Sequence, residues 1–551
     1  MSRGEDATSL GAIRETSAAA DKIVDVIVIG AGFSGLYAVE KLARLGFDVL
    51  GIERGDDVGG VWFWNRYPGA RCDCESYYYS YSFSEELEQD WSWSLRYSEQ
   101  PEILRYLSHV ADRFALRQHY RFSTSVESME LDEEKMIWRV RTSDGLTTSA
   151  RFVISAAGCL SEPKRPDIPG LDTFEGEILN TSSWPRDEPQ LAGRRVGVIG
   201  TGASGVQVVS RLASHVASMV VFQRTANWVI PVWNGPTEME FEAWVKKNYK
   251  DIRARCLASN RANPFDAATA AVLETDADEC ARILEKHWAF GGPRFFTAFT
   301  DSMRSEEANK VIADFVRDRI HHLVHDTKVA EMLTPDHPIA TRRPPMDDDY
   351  YATFNRSNVT LVDLRSTPIT GMSGGEVRTS TARHALDLLI LATGFDAITG
   401  PLLAMNIAGR GGRKLNDNWA AGARSYLGIG MAGYPNLFTV TGPLSPSVTA
   451  NMPTHIEQSV DWIVDCLVSL RDKGQDWIEA TEVAQDAWCD EVDAAVGGTL
   501  YATASSWYDG SNIPGKPRRF GVYLGGFGNY RRRCNEIADA GYEGFLMGAG
   551  S

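Results

Sequence analysis

The eight cysteines are scattered over 551 residues without a single Cys-x-x-Cys pair; the tightest spacing is Cys72-Asp73-Cys74. That excludes a disulfide framework and a zinc-finger spacing, and it predicts a reducing, cytoplasmic setting. No run of about 18 apolar residues occurs, so no transmembrane helix is expected. Residues 1–22 are polar and lack the apolar core of a signal peptide. Positive charge is also scarce: 56 Lys and Arg stand against 73 Asp and Glu, a formal net charge of −17. Nucleic acids and anionic membranes are held by Lys/Arg-rich surfaces, so neither is an expected partner, although a local basic pocket stays compatible. The remaining composition, 43% hydrophobic and 23% charged, is ordinary globular usage. The length suits roughly three or four domains.

Glycine turns between apolar runs give the first positive signal. Val24–Ile29 (VDVIVI) is an apolar run interrupted only by Asp25, the pattern of a buried parallel strand. It leads into Gly30-Ala31-Gly32-Phe33-Ser34-Gly35. A helical pattern follows, with Leu36, Val39, Leu42 and Ala43 on one face, and then a second strand, Asp48–Glu53. A similar unit begins at Arg195: strand Val196–Ile199, turn Gly200-Thr201-Gly202-Ala203-Ser204-Gly205, helix Val206–Val216 and strand Met219–Gln223. In such turns the first glycine permits the tight bend. The second lets backbone N–H groups approach a pyrophosphate, and the third lets the helix pack on the strand. The strand–turn–helix setting of both copies makes a weak motif specific.

The residue closing each unit separates the two sites. Glu53 offers a carboxylate to an unphosphorylated ribose, as in FAD or NAD. The second strand instead ends Phe222-Gln223-Arg224-Thr225, with no acid. Arg224 suits a 2′-phosphate and so favours NADP, although a solvated surface arginine would read the same. The economical pairing is FAD at the first turn, with Ser34 beside its pyrophosphate, and NADPH at the second. Between Trp233 and His325 charged and aromatic residues recur at helical spacing. Strand patterns return at 359–363 and 385–392, and helical ones at 454–471 and 481–493. The expected fold class is α/β, with two Rossmann-like dinucleotide-binding domains and a mostly helical insert. The expected boundaries are 1–155 with 391–551 for FAD, 156–232 with 333–390 for NADP, and 233–332 for the insert.

Longer motifs sharpen this reading. GGVWFWNRYPGARCD spans 59–73. Phe174-Glu175-Gly176 is followed by Asn180 and then Trp184-Pro185. RVGVIGTGASGVQ (195–207), VFQRTANW (221–228), DYYATFNR (349–356), LATGFDA (391–397), SWYDGSNIPGKP (506–517) and YEGF (542–545) complete the set. In this order, over nearly the whole chain, they resemble the type I Baeyer–Villiger monooxygenases, most of all the phenylacetone and steroid monooxygenases. The resemblance implies an FAD-containing enzyme that uses NADPH and dioxygen to turn ketones into esters or lactones through an anionic flavin C4a-peroxide. It also implies a monomer or weak oligomer. One departure stands out: the family fingerprint has His where this chain has Asn180. Asparagine donates and accepts hydrogen bonds but does not titrate near neutral pH, so the coupling of NADPH use to product is left open.

The same resemblance assigns roles by position. Arg343 is the fixed cation of the reaction and Asp73 its partner. Gly30, Gly32, Ser34, Gly35, Glu53, Val61, Trp62, Asp73, Tyr79, Val126 and Met452 fall to FAD. Gly200, Thr201, Gly202, Ser204, Gly205, Gln207, Arg224, Thr225, Arg342, Arg343 and Trp507 fall to NADP. Leu444, Ser447, Val448 and Met452 are candidates for the ketone pocket. Read alone, Arg342-Arg343-Pro344-Pro345 would be an exposed basic loop, and Trp62 and Tyr79 would be compatible with simple core. Cys72 and Cys74 read as small packed side chains, because their spacing fits a disulfide badly. A flavin-dependent N- or S-monooxygenase and a non-catalytic NADPH- or flavin-binding sensor are the competing readings. A disulfide reductase lacks its cysteine pair here.

Overall fold

A computed structural model describes residues 23–549; the polar segment 1–22 lies outside the described residues. Two sheets organise the chain. In the eight-stranded sheet, Ile23–Ile29 pairs in parallel with Val49–Ile52 on one side and Thr147–Ser155 on the other. An antiparallel hairpin, Val126–Asp132 with Ile137–Thr142, extends that second side. Leu437–Thr439 returns from far along the chain to pair with Thr147–Ser155. Val26, Ile27 and Val28 have no exposed surface, which is why the strand is apolar from Val26 onward rather than alternating; Asp25, nearer its start, is only partly buried.

The second sheet has five parallel strands in the order Val359–Asp363, Ser218–Gln223, Arg195–Ile199, Leu388–Leu391, Glu177–Asn180. Helices Ala277–Phe290 and Glu306–Leu323 are started by Asp276 and Ser305, whose side chains accept from the N–H groups of Glu279 and Ala308. Their apolar faces share one core with this sheet. Helix Met239–Ala258 instead packs Val245, Tyr249, Ile252 and Cys256 against Tyr78, beside the first sheet's loops.

Two elements differ from the sequence pattern. The helix expected at Val206–Val216 runs Ala203–Leu212. It ends early because the Asn358 side-chain amide takes the Ala213 and Val216 carbonyls, at 2.9 and 3.2 Å. The single strand expected over 385–392 is split into Arg383–Ala385, part of an antiparallel three-stranded sheet, and Leu388–Leu391. Asp387 makes the break: its carboxylate accepts from the Arg195 backbone N–H at 2.8 Å and from the Arg195 guanidinium at 2.6 Å.

The chain leaves the first sheet after Ser155 and leaves the second after Leu391. These two connections are bonded to each other. Asp396 N–H donates to the Glu162 carbonyl and Lys164 N–H to the Gly394 carbonyl, both at 2.9 Å. Thr393 Oγ1 donates to the Lys164 carbonyl at 2.7 Å.

Candidate active site

The two glycine turns have the same geometry. Gly30 and Gly200 both have φ +109°, and a Cβ there would lie 2.6 Å from the Ala156 carbonyl oxygen and 2.3 Å from that of Ala392. At Gly35 and Gly205 a Cβ would fall 1.8 and 2.0 Å from the carbonyl oxygens of Gly30 and Gly200, so only glycine lets each helix close on its own turn. Helices Phe33–Arg44 and Ala203–Leu212 start at Gly32 and Gly202 with no capping side chain and no acid in the first turn. Their N–H groups and dipoles therefore suit an anion. A Cβ at Gly202 would meet nothing within 4 Å, the open space that a pyrophosphate needs. Gly202→Ala is thus expected to leave thermal stability nearly unchanged while weakening NADP⁺ at least about tenfold, checked by calorimetric titration.

Glu53 is buried, and burial raises its pKa. Its carboxylate accepts from Ala31 N–H at 2.7 Å and Gly55 N–H at 2.6 Å, which leaves one further acceptor site on each oxygen for a ribose. Thr124 N–H donates to the Glu53 carbonyl at 2.9 Å and brings the start of strand Val126–Asp132 alongside. Ser34 is buried in the first helical turn. Val61 is 38% exposed on its short helix. Trp62 and Tyr79 lie edge to face with centroids 6.0 Å apart, and Trp62 Nε1 donates to the Tyr79 hydroxyl at 3.2 Å.

At the second turn Thr201 Oγ1 donates to the Thr225 carbonyl at 2.9 Å, placing Arg224 and Thr225 beside Gly200–Gly205. Arg342 Nε is buried without a protein partner. Burial, then repulsion from Arg224, lowers the pKa of Arg342. The same two causes lower that of Lys164, a residue that sequence reasoning missed. In Pro163-Lys164-Arg165-Pro166 it reads only as a solvated loop cation. Burial, reinforced by Arg342, pushes His337 down to about 4 and keeps it neutral. Gln207 uses both ends of its side chain on the 67–73 loop. Its oxygen accepts from the Tyr67 hydroxyl at 2.8 Å and its amide donates to the Arg71 carbonyl at 3.3 Å, so its side chain joins the second sheet's helix to the 67–73 loop.

Arg343 and Asp73, 270 positions apart in sequence, meet side on. Nε lies 3.0 Å from Oδ2, and Nη2 lies 2.9 and 2.7 Å from Oδ1 and Oδ2. Nη1 donates to the Val448 carbonyl at 2.8 Å. The two side chains keep 32% and 25% exposure, so the pair faces a cleft rather than a sealed core. Burial opposes the charge on Arg343, but Asp73 outweighs it and the guanidinium pKa is raised. A second pair of opposite polarity joins the same two segments. Arg71 Nη2 lies 2.5 Å from Asp347 Oδ2, and Asp347 Oδ1 accepts from Ser210 Oγ at 2.6 Å. Sequence reasoning missed both partners, whose reciprocal pattern of charges becomes visible only once the segments lie side by side.

The pocket candidates divide. Val448 bonds Arg343 through its carbonyl, and Met452 is half-buried at the start of helix Met452–Lys473. Ser447 is fully buried, with a left-handed φ of +42°. Leu444 is buried as deeply as Ser447. It is 0% exposed, packed in the first sheet's core, and lines only a small cavity beside Trp507 and Ile398. Trp507 lies against Tyr508, with centroids 4.4 Å apart. Its loop is held by Lys516 on Asp396 and by the Asn512 amide on the Phe395 carbonyl at 2.9 Å.

Known proteins share this architecture over its full length. A Baeyer–Villiger monooxygenase of Pseudooceanicola batsensis is 40% identical over 526 residues, covering 95% of this chain and 96% of its own. The chain belongs to the Baeyer–Villiger monooxygenase family. The solved structure of an oxidized steroid monooxygenase bound to NADP superposes with a TM-score of 0.92 at 47% identity, covering 96% of this chain and 100% of that one. A phenazine N-monooxygenase of Lysobacter antibioticus is 39% identical, with coverage of 95% and 97%. The family described as pyridine nucleotide-disulphide oxidoreductase matches residues 27–263. The match covers the stretch that holds both glycine turns, and all eight cysteines are free thiols. As a Baeyer–Villiger monooxygenase the chain is an FAD-containing, NADPH-dependent oxidoreductase, and the two cradles fit those dinucleotides. No helix among the described residues is long and apolar enough to cross a membrane.

Asn180, where the Baeyer–Villiger fingerprint carries His, ends strand Glu177–Asn180 opposite Leu391. Its Oδ1 accepts from Ser182 N–H at 2.9 Å and from Ser182 Oγ at 2.7 Å, capping the turn Thr181–Ser183. The position shapes the turn between the second sheet and the 181–194 loop, and that task needs an acceptor rather than a titrating group. Asn180→Ala is expected to cost about 1 kcal/mol. Asn180→Asp, which keeps the acceptor, should cost clearly less, as read from chemical denaturation curves.

Proposed function

We propose that this enzyme inserts one oxygen atom beside a ketone carbonyl, giving an ester or lactone, in the cleft where Arg343 meets Asp73. That ion pair carries the reading. FAD fits the first cradle, with Gly30, Gly32, Ser34 and Gly35 along its pyrophosphate and Glu53 on its ribose. Val61, Trp62, Tyr79, Val126 and Met452 would border it. NADPH fits the second cradle, with Gly200–Gly205 along the pyrophosphate and Arg224, Thr225 and Arg342 around the 2′-phosphate. In this reading residues 1–155 with 391–551 serve FAD, 156–232 with 333–390 serve NADP, and 233–332 form the insert. Bound FAD, reduced by NADPH, supplies activated dioxygen.

The protein's task is charge placement. Negative charge develops on the carbonyl oxygen as the ketone is attacked, and a fixed cation there stabilises it. Arg343 stays protonated where a lysine would be at risk. Asp73 occupies its Nε and Nη2 edge, Val448 takes one Nη1 hydrogen, and the Tyr508 hydroxyl also lies at the guanidinium, so a substrate oxygen would meet Arg343 beside that hydroxyl. Asp73 also keeps the resting cleft close to neutral. Val448 and Met452 would supply a partly apolar wall for the ketone, with the buried Ser447 and Leu444 in the same segment supporting it.

The phenazine N-monooxygenase favours a second reading, oxygen transfer to a ring nitrogen, which needs no such cation. Incubation with FAD, NADPH and oxygen, followed by mass spectrometry on cyclic, aromatic and steroidal ketones and on nitrogen heteroaromatics, separates the two. Esters or lactones are expected; N-oxides alone would overturn the ketone reading. The free thiols support a cytoplasmic setting, with the chain acting as a monomer or weak oligomer, a state that sedimentation measures directly.

A further inference from the structure

Lys164 stands where three features meet. Its backbone is fixed on both sides by Gly394 and Thr393, just beyond the carboxyl end of strand Leu388–Leu391. The two strands next across that sheet, Arg195–Ile199 and Ser218–Gln223, end at Gly200 and Arg224. The carboxyl ends of parallel strands are where such sheets receive ligands. The Lys164 ammonium donates to the backbone carbonyl of Asn512, in the loop that carries Trp507. Asn512 is held a second time through its amide on Phe395.

Positive charge at this place is only partly compensated, by Asp336 and Asp509 acting on Arg342 from beyond ion-pair distance. Lys164, Arg224 and Arg342 have no ion-pair partner among the described residues, and Arg342 Nε is buried without a bond. Burial, then repulsion from Arg224, depresses the pKa of both neighbours, as expected of cations crowded together with too little negative charge. A dianionic phosphate among them would reverse that repulsion. An ammonium has three donors, and the Asn512 carbonyl takes one, so two remain for the phosphate.

We propose that Lys164 is a third ligand of the NADPH 2′-phosphate and, through Asn512, a latch that couples phosphate binding to order in the Trp507 loop. The proposal rests on the second cradle being the NADP site. It makes selection of NADPH over NADH a matter of loop order as well as of direct contact. Lys164 is a positioning and specificity residue, since it touches the phosphate and not the reacting atoms.

The test uses the FAD-loaded enzyme and two fragments, 2′,5′-ADP and 5′-AMP, which differ only by the 2′-phosphate. In the parent enzyme 2′,5′-ADP is expected to bind more tightly than 5′-AMP and to slow hydrogen exchange over 506–517. In Lys164→Met the advantage of 2′,5′-ADP should shrink about 10- to 100-fold, the worth of a charge-assisted bond, and the exchange protection should vanish. Lys164→Gln keeps a neutral donor for Asn512, so it should lose affinity while retaining part of the protection. An advantage unchanged within twofold in Lys164→Met would overturn the phosphate role. Equal losses for both fragments would overturn it too, by making Lys164 a structural support only. Lost affinity with protection intact would overturn the latch. A parent enzyme that does not distinguish the fragments would instead strike down the assignment of the second cradle to NADP.

Discussion

Arg343→Ala is expected to lower the rate of ketone oxygenation at least about a thousandfold, roughly 4 kcal/mol of transition-state stabilisation, while NADPH consumption continues. The two are measured together, product by mass spectrometry and NADPH by absorbance, with hydrogen peroxide release expected to replace product. The argument is geometric. Arg343 is gripped along one edge by Asp73 and pinned through Nη1 to Val448, so its charge sits at a fixed point instead of following the substrate. Arg343→Lys is not a rescue. An ammonium on a flexible stem cannot hold both carboxylate oxygens and the Val448 carbonyl while presenting a further donor. The lysine variant is expected to keep less than about a tenth of parent activity. Ester formation by Arg343→Ala at more than a tenth of the parent rate would sink the assigned role.

Arg71→Met is expected to destabilise the fold by about 3–5 kcal/mol, because it strands a carboxylate that is already buried. Asp347 is 1% exposed, and in the variant it keeps only the Ser210 hydroxyl and the Asp349 N–H, at 2.6 and 3.0 Å. The pH dependence has a definite sign. Burial already raises the Asp347 pKa above its ordinary value, and removing Arg71 raises it further. A carboxyl whose folded pKa exceeds its unfolded one favours the folded state at low pH and loses that contribution as pH rises through the folded pKa. The penalty should therefore be largest at high pH and shrink as pH falls toward the ordinary carboxylate range, as followed by denaturant unfolding at several pH values. The double variant Arg71→Met/Asp347→Asn should lose clearly less than the sum of the single changes. A penalty independent of pH would show that packing of the Arg71 stem, rather than its charge, is what matters.

The fold was legible wherever local pattern and tertiary role agree. Both βαβ units are marked by glycines whose positions are dictated by backbone clashes, and the burial of Val26–Ile29 and Val196–Ile199 keeps those stretches apolar. The pattern failed where a distant residue intervened: Asn358 shortening the second helix, Asp387 breaking a strand. The site was legible in a similar proportion. Glu53 and Arg224 follow from position alone, because each ends a strand beside a glycine turn. Arg343 and Asp73 carry no local signal of their pairing, and only resemblance to a family brought them together. Arg71, Asp347 and Lys164 escaped because each looks like an ordinary loop charge until the chain places its partner. Burial of Leu444 and Ser447 was not legible either, since both lie in a segment that borders the cleft.

The bonded connections between the two sheets set a limit on motion. A lone strand between two lobes would allow swivelling in any direction. Two strands tied to each other by Glu162, Lys164, Thr393, Gly394 and Asp396 act as a flat strap, which bends across its face and resists twisting about its length. The strap therefore favours relative movement of the two cradles along one arc over swivelling, within the play that the Arg71–Asp347 and Tyr67–Gln207 bonds leave.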